Sequence, residues 1–130
     1  MIRLCLDTSA YSRFMRGEPR LQTRLEAADE LLLPVTMLGE VYAGFQGGNR
    51  LEENLALLAA FRRQPGVVLL ETTDNIAQRY AALVASLKRQ GTPIPTNDIW
   101  IAAAALENGG RLVAYDAHFA AVPGLIVEAP

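Results

Sequence analysis

Five short, continuous apolar runs alternate with longer segments of helical periodicity along this chain. The runs are Arg3–Leu6, Leu31–Leu33, Val67–Leu70, Leu112–Tyr115 and Leu125–Val127. Continuous apolar runs are typical of strands that are buried on both faces. Because strands that alternate with helices form mostly parallel sheets covered on both sides, the pattern predicts an α/β fold.

The segments between these runs carry the start and stop signals of helices. Pro19 suits the first position of a helix, and Gly47-Gly48 and Gly109-Gly110 end two others. The predicted N-caps of the later helices are Thr36, Asn49, Thr73 or Asp74, and Thr96 or Asn97. The apolar stripes expected to face the core are Leu51, Leu55, Leu58 and Phe61 on one helix, and Ile76, Tyr80, Leu83, Val84 and Leu87 on the next.

Length and composition narrow the class of protein. A chain of 130 residues suits one domain, 1–130, and its 51% of hydrophobic residues is enough for one core. The lone Cys5 excludes a disulfide framework, and the longest apolar stretch, Ile99–Leu106, is too short to cross a bilayer. The first residues lack a signal-peptide pattern, so we expect a cytoplasmic protein with no membrane segment.

The charges do not by themselves identify a partner. The net charge is −2, and Lys88 is the only lysine among 12 basic residues. Arginine suits forked recognition of phosphate, so four arginines after the first apolar run are either a positive rim for an RNA backbone or ordinary solvated charges. They are Arg13, Arg16, Arg20 and Arg24.

Five acidic residues occupy unusual positions. Three end predicted strands, one opens the Ala-rich helix and one lies inside a helix between Gly39 and Gly44; in chain order they are Asp7, Glu40, Glu71, Asp98 and Asp116. Singly, each is weak evidence of function, since an acid that ends a strand is often a turn former and an acid that opens a helix is usually a cap. Together they are more informative, because strand C-termini and helix N-termini share one edge of a parallel α/β sheet, where ligands bind.

Converging carboxylates need a positive counter-charge, since they repel one another and burial raises their pKa values. Mg²⁺ and Mn²⁺ take oxygen ligands, whereas one His and one Cys are too few for a zinc site. The acids therefore indicate Mg²⁺ or Mn²⁺, as one or two ions. Such a site can activate water and stabilise a leaving oxygen at phosphorus. We also expect Asp98 to stay ionised, because a helix N-terminus favours an anion.

Four stretches of sequence carry a resemblance to a known family. They are "LDTSAY" at Asp7, "LGEVYAGF" at Glu40, "TNDIWIAAAAL" at Asp98 and "LVAYDAHFAAVPGL" at Asp116. Their order and spacing resemble those of PIN-domain ribonucleases and, more narrowly, of the VapC toxins of type II toxin–antitoxin (VapBC) pairs. The resemblance covers essentially the whole chain.

The resemblance implies a single PIN-like domain with a five-stranded sheet of order 3-2-1-4-5. It implies that Asp7, Glu40, Asp98 and Asp116 are the catalytic and metal-binding residues of a Mg²⁺- or Mn²⁺-dependent endoribonuclease, a hydrolase of phosphodiester bonds that uses metal-activated water. It also implies an RNA substrate, a VapB-type antitoxin and a homodimer. Glu71 matches no family ligand and is assigned to the turn after the third strand.

Residues around the four acids are candidates for supporting roles. Family members often carry Thr or Ser where this chain has Ala114, so Thr8, Ser9 and Asn97 are the candidates for polar support of the site. Among the four arginines, Arg13, Arg16 and Arg20 are the candidates for contact with RNA. His118, the only histidine, is interpreted as structural or solvent-exposed, and Trp100 as a core or dimer residue.

Three other functions are weighed against this one. A PIN fold kept only for binding RNA or protein stays open because of Ala114. A phospho-acceptor receiver domain needs an acidic pair after strand one and a lysine after strand five, and neither is present. A haloacid-dehalogenase-like phosphatase needs Asp-x-Asp, where this chain has Asp7-Thr8-Ser9.

Overall fold

The apolar runs of the sequence form the five strands of one sheet. The structure is a computed structural model that describes all 130 residues. In chain order its elements are β1 (Arg3–Leu6), α1 (Thr8–Met15), α2 (Pro19–Glu26), β2 (Glu30–Pro34), α3 (Val35–Gln46), α4 (Leu51–Arg62), β3 (Val67–Leu70), α5 (Asp74–Gln90), α6 (Thr96–Glu107), β4 (Arg111–Val113), a 3₁₀ helix (Ala117–Ala121) and β5 (Ile126–Glu128).

All strand pairs are parallel, and their order is β3-β2-β1-β4-β5. The predicted α/β class and strand order are therefore confirmed. Strand β1 is central: Cys5 pairs with Leu32 on one side and with Leu112 on the other. Strand order reverses here, since the chain moves from β1 to β2 in one direction and reaches β4 in the other. The C-terminal ends of β1 and β4 thus lie side by side at the switch point of the sheet.

The core lies along β1 and under α6. Leu4, Cys5 and Leu6 are all buried, which agrees with their position in a central strand. Helix α6 buries four consecutive alanines, Ala102 to Ala105. Because these side chains are small, the helix backbone packs closely against its neighbours, and this fixes the position of its first turn.

Some of the predicted helix starts are wrong. Thr73 does cap α5, where its hydroxyl accepts a hydrogen bond from the Ile76 amide. Thr36, however, lies inside α3, Asn49 is followed by Arg50 as the N-cap of α4, and Thr96 and Asn97 both lie inside α6. Helices α3 and α6 begin directly after Pro34 and Pro95, whose extended backbones let the next residue start the helix.

Two residues of the predicted apolar stripes are solvent-exposed. Leu83 and Leu87 of α5 are buried, but Val84 is 37% exposed. Val84 follows Leu83 by one residue, or about 100° around the helix, and so leaves the buried face. On α4, Leu58 and Phe61 are buried while Leu55 is 38% exposed. None of the helices is long and apolar enough to span a bilayer.

Candidate active site

Asp7 is the one buried charged residue of the protein. It follows β1 directly and is 5% exposed. Its carboxylate caps α1 by accepting the Ala10 amide N–H at 2.8 Å, and it accepts the Ser9 hydroxyl at 2.7 Å. The strand ends on a charge because that charge is the N-cap of the next helix. No flexible loop separates β1 from α1, so the backbone of Asp7 is held on both sides.

Glu40 reaches the same region from α3. Its carboxylate accepts a hydrogen bond from the Thr8 hydroxyl at 3.0 Å. Thr8 is the first residue of α1 and follows Asp7 directly. The end of β1 therefore orients two acids: Asp7 itself and, through Thr8, Glu40.

Asp98 and Asp116 come together around the ring of His118. Asp98 is the third residue of α6, and Asp116 caps the 3₁₀ helix by accepting the His118 amide N–H at 2.9 Å. The Nδ1 atom of His118 lies 3.0 Å from Asp98 Oδ2 and 2.9 Å from Asp116 Oδ1. Both carboxylates thus share one imidazole nitrogen.

These residues line an open cleft of about 360 Å³. Apart from Pro95, every side chain in its wall is polar or charged, and no lysine or arginine is among them; the lining consists of Glu40, Pro95, Thr96, Asn97, Asp98, Asp116 and His118. Asp7 is not part of this lining but lies next to it, because Ser9 hydrogen-bonds both to the Asp7 carboxylate and to the amide of Tyr115, the residue before Asp116. The four acids predicted to converge are brought to one edge of the sheet.

Burial dominates the electrostatics of the two innermost acids. It raises the pKa of Asp7, and the charges of Asp98 and Asp116 raise it further, while the hydrogen bonds from Ala10 and Ser9 lower it. Burial also raises the pKa of Asp98, and Asp116 adds to this effect, although the hydrogen bond to His118 opposes it. The helix N-terminus favours the ionised form of Asp98, as expected, but desolvation acts in the opposite direction.

The donor set fits a hard divalent cation. Four carboxylates lie at this edge of the sheet, burial disfavours the charges of Asp7 and Asp98, and the cleft wall has no Lys or Arg to balance them. Oxygen donors of this kind are the ligands of Mg²⁺ and Mn²⁺. One subset, Asp98, Asp116 and His118, brings one donor atom from each residue to within 4.8 Å of one another.

Of the three residues predicted to give polar support to the acids, two contact an acid and one does not. Ser9 donates to Asp7 and accepts the Tyr115 amide N–H at 3.2 Å, and Thr8 donates to Glu40. Asn97 lines the cleft but makes no side-chain hydrogen bond. Ala114 is buried in the core.

The arginines also differ from one another. Arg16 and Arg20 are exposed and form no ion pair. Arg13 lies over the Tyr115 ring at 3.9 Å and is 3.8 Å from Glu18. Arg24 is not available to a rim, because it binds Glu128 through two contacts of 2.6 and 2.9 Å.

The side chain of His118 is 47% exposed, which agrees with its interpretation as structural or solvent-exposed. The sequence interpretation did not predict that its ring also lies between two of the acids, Asp98 and Asp116. The signal for this was the spacing Asp116-x-His118, which allows an aspartate to cap the turn that carries the histidine. Glu71 is exposed outside the cleft, and Trp100 stacks on Tyr80 with ring centroids 3.8 Å apart, both as expected.

Comparison with known proteins assigns the chain to a family. Residues 4–125 match the family model described as PIN domain. The match covers nearly the whole chain, so the protein belongs to the PIN domain family.

Individual relatives agree with this assignment. A curated relative from Haemophilus influenzae strain R2866, Ribonuclease VapC1, is 26% identical over 115 residues, which are 85% of this chain and 84% of that one. VapBC-5 from Mycobacterium tuberculosis, described as a member of the VapBC family of toxin–antitoxin systems, is 26% identical with a TM-score of 0.74, over 98% of this chain and 97% of that one. VapBC2 from Rickettsia felis, solved bound to a promoter DNA fragment, has a TM-score of 0.87 over 98% of both chains; at 21% identity it supports the fold alone.

Proposed function

We propose that this protein is an endoribonuclease that hydrolyses RNA phosphodiester bonds as the toxin of a toxin–antitoxin pair. The observation that carries the proposal is the meeting of four acids from separate segments at the switch point of a PIN-family sheet: Asp7, Glu40, Asp98 and Asp116. The names of similar proteins, Ribonuclease VapC1 and Ribonuclease VapC4, support the reaction class. An RNA substrate would place the activity in the cytoplasm.

We assign Asp7, Glu40, Asp98 and Asp116 as the residues that hold Mg²⁺ or Mn²⁺. When bound, the cation supplies positive charge that neutralises a backbone phosphate and makes a nearby water easier to deprotonate. Asp7 and Asp116, at neighbouring strand ends, provide the fixed part of the site. Glu40 and Asp98 are on helices and close it from two sides.

The chain contributes positioning beyond the four acids. The Ser9 hydroxyl and the Ala10 amide hold Asp7 in one orientation, and the Thr8 hydroxyl does the same for Glu40. Fixed carboxylates need no rearrangement when charge develops at the phosphate, which lowers the cost of reaching the transition state. The cleft is open to solvent, so a polymer such as RNA has access to it.

The partners are proposed on two grounds. The VapBC complexes among the structural neighbours support a VapB-type antitoxin as the partner, and we infer a homodimer from the family resemblance. For the RNA backbone, the exposed and unpaired Arg16 and Arg20 are better candidates than Arg13, which is engaged with Tyr115 and Glu18.

The test is cleavage of RNA by the purified protein, with Mg²⁺, Mn²⁺ or EDTA. The substrate should be total bacterial RNA with its ribosomal and transfer RNAs folded, because RNA recognition depends on shape and on unpaired loops. We expect discrete fragments only with a divalent cation and none from Asp7→Asn or Asp98→Asn. Undiminished cleavage in EDTA would contradict the metal assignment. Absence of cleavage with either cation would favour a PIN fold that only binds RNA or protein.

A further inference from the structure

His118 occupies a place in the site that the carboxylate chemistry does not account for. It is the only histidine in the chain, and its Nδ1 atom lies within 3.0 Å of both Asp98 Oδ2 and Asp116 Oδ1. No other nitrogen-bearing side chain among the cleft residues contacts an acid; Asn97 makes no hydrogen bond there. The imidazole is thus aimed at the point where two proposed ligands meet.

The ring is held there by its surroundings. The His118 amide N–H donates to Asp116 at 2.9 Å, which fixes the turn, and the next residue, Phe119, is fully buried in the core. His118 lies in the 3₁₀ helix, between the capping Asp116 and this anchor. An imidazole on such a short, anchored segment is positioned by the fold, as ligands on rigid elements are.

We propose that His118 Nδ1 is itself a ligand of the cation, so that Asp98, Asp116 and His118 form a mixed nitrogen and oxygen donor set that favours Mn²⁺ over Mg²⁺. The inference rests on the metal site of the proposed function and goes beyond it by naming a further ligand and the ion it selects. One donor atom from each of the three residues lies within 4.8 Å of the others, so these three residues would be able to hold the same ion.

The Nδ1 atom of His118 is chemically suited to bind a cation, because a neutral imidazole has one ring nitrogen with a free lone pair. A cation held at Nδ1 would require the ring hydrogen to be on Nε2. Histidine binds metals in this neutral form through either ring nitrogen.

Ion preference follows from ligand type. Mg²⁺ takes oxygen ligands in a strict geometry and keeps several waters, so an imidazole adds little to its binding. Imidazole suits first-row transition ions, and Mn²⁺ accepts nitrogen along with carboxylate oxygen. A site of four acids alone would not discriminate between the two ions on this basis, whereas a site with His118 would.

The decisive experiment is pulsed electron paramagnetic resonance on the full chain with Mn²⁺ bound, prepared without a polyhistidine tag. A directly bound imidazole produces a ¹⁴N modulation of the Mn²⁺ spin echo. Because the chain has one histidine, that signal has a single source. We expect it in the wild-type protein and expect His118→Asn to lose it while keeping a hydrogen-bond donor near Asp98 and Asp116.

Affinities give a second readout that does not depend on RNA cleavage. Mn²⁺ binding is measured from the signal of the free ion, and Mg²⁺ binding by competition. We expect His118→Ala to weaken Mn²⁺ binding by about tenfold or more and Mg²⁺ binding by about twofold or less. The exposed loop variant Asn49→Ala, remote from the cleft lining, is the control and should change neither affinity.

Three outcomes of the Mn²⁺ binding measurements separate the role of His118 from the proposed function. Mn²⁺ binding with the ¹⁴N signal supports both. Mn²⁺ binding that depends on Asp7 and Asp98 but lacks the ¹⁴N signal overturns the role of His118 and leaves the carboxylate site standing. No binding of either cation overturns both. An equal loss of Mn²⁺ and Mg²⁺ affinity in His118→Ala would also contradict the proposed preference.

Discussion

The hydroxyl of Ser9 donates a hydrogen bond to the carboxylate of Asp7 across 2.7 Å. The hydroxyl oxygen of Ser9 also accepts a hydrogen bond of 3.2 Å from the amide N–H of Tyr115, the residue directly before Asp116. One serine therefore ties together the ends of β1 and β4, the two strands that lead into Asp7 and Asp116. The relative position of these two acids depends on a single hydroxyl group as well as on the strand pairing.

Ser9→Ala should therefore weaken both the site and the fold. We expect RNA cleavage at saturating metal to fall by about 10- to 100-fold, because Asp7 loses an orienting partner. We expect the free energy of unfolding to fall by about 1–2 kcal/mol, because the Tyr115 amide loses its acceptor. Cleavage rates and urea unfolding measure the two effects. Ser12→Ala, an exposed serine on the same helix, is the matched control; an equal effect there would argue against the role of Ser9.

The ionised carboxylate of Asp7 should lower the free energy of unfolding when no metal is bound. Its pKa is raised by burial and by Asp98 and Asp116, so the folded state favours the protonated acid. The penalty is absent below the unfolded-state pKa and grows as pH rises through the raised folded-state pKa. Asparagine keeps an acceptor for Ser9 and Ala10 but carries no charge. We expect Asp7→Asn to raise Tm in EDTA at neutral pH by about 3–6 °C, or roughly 1 kcal/mol.

Thermal melts across pH test this directly. The difference between Asp7→Asn and the wild type should be largest at pH 7 to 8 and should shrink as the pH falls towards the unfolded-state pKa, below which the acid is protonated in both states. Adding Mn²⁺ should raise the wild-type Tm and leave that of Asp7→Asn nearly unchanged, because ligand binding stabilises only the form that binds. A lower Tm for Asp7→Asn in EDTA at every pH would contradict the account.

The ion pair between Arg24 and Glu128 should give the opposite pH dependence. The Arg24 guanidinium holds the pKa of Glu128 below its usual range, with a smaller contribution from Arg111. Because the folded-state pKa is depressed, the stabilisation is complete above the unfolded-state pKa and is lost as pH falls through the folded-state value. We expect Glu128→Gln to cost about 1 kcal/mol at pH 7 and progressively less below about pH 4.5. Glu26→Gln, an exposed acid without an ion pair, should show no such trend in urea unfolding.

The backbone conformation just before β3 requires a glycine at position 66. Its φ is +83°, and a Cβ added there would lie 2.6 Å from the carbonyl oxygen of Asp29. Gly66→Ala should therefore destabilise the fold by about 2 kcal/mol or more. Gly44→Ala is the contrasting variant, because Gly44 is in α3 with open space around its Cβ position and should gain about 0.5–1 kcal/mol. Unfolding free energies of the same sign for both variants would contradict this interpretation.

The strands were the most predictable part of the fold. Apolar runs bounded by polar or turn-forming residues marked them, so Arg3–Leu6 and Val67–Leu70 match their predicted bounds and the other three differ by one or two residues. Burial on both faces, predicted for the strands, does not hold for the edge strand β3, where Leu69 is 37% exposed. The strand order came from family resemblance, since short apolar runs do not specify their neighbours.

The helix starts and the role of His118 were less predictable for physical reasons. At Pro34 and Pro95 the N-cap is set by backbone conformation, with no capping side chain to signal it. His118 reaches Asp98 only because the 3₁₀ helix after Asp116 is anchored by Phe119, and that packing is tertiary. The four acids could be grouped because strand ends and helix starts share one edge, whereas distances among them depend on packing.

In the proposed function, carboxylates at one edge of the sheet form a single metal-dependent site for RNA cleavage. The most direct measurement is the cleavage rate of folded RNA as a function of Mn²⁺ concentration for Asp7→Asn, Asp98→Asn and Asp116→Asn beside Glu71→Gln. Glu71 follows β3 and lies outside the cleft, so it is an acid at a strand end without a role in the site. We predict losses of about 100-fold or more for the three aspartates and a rate within about twofold of wild type for Glu71→Gln. Equal rates for all four variants would contradict the account.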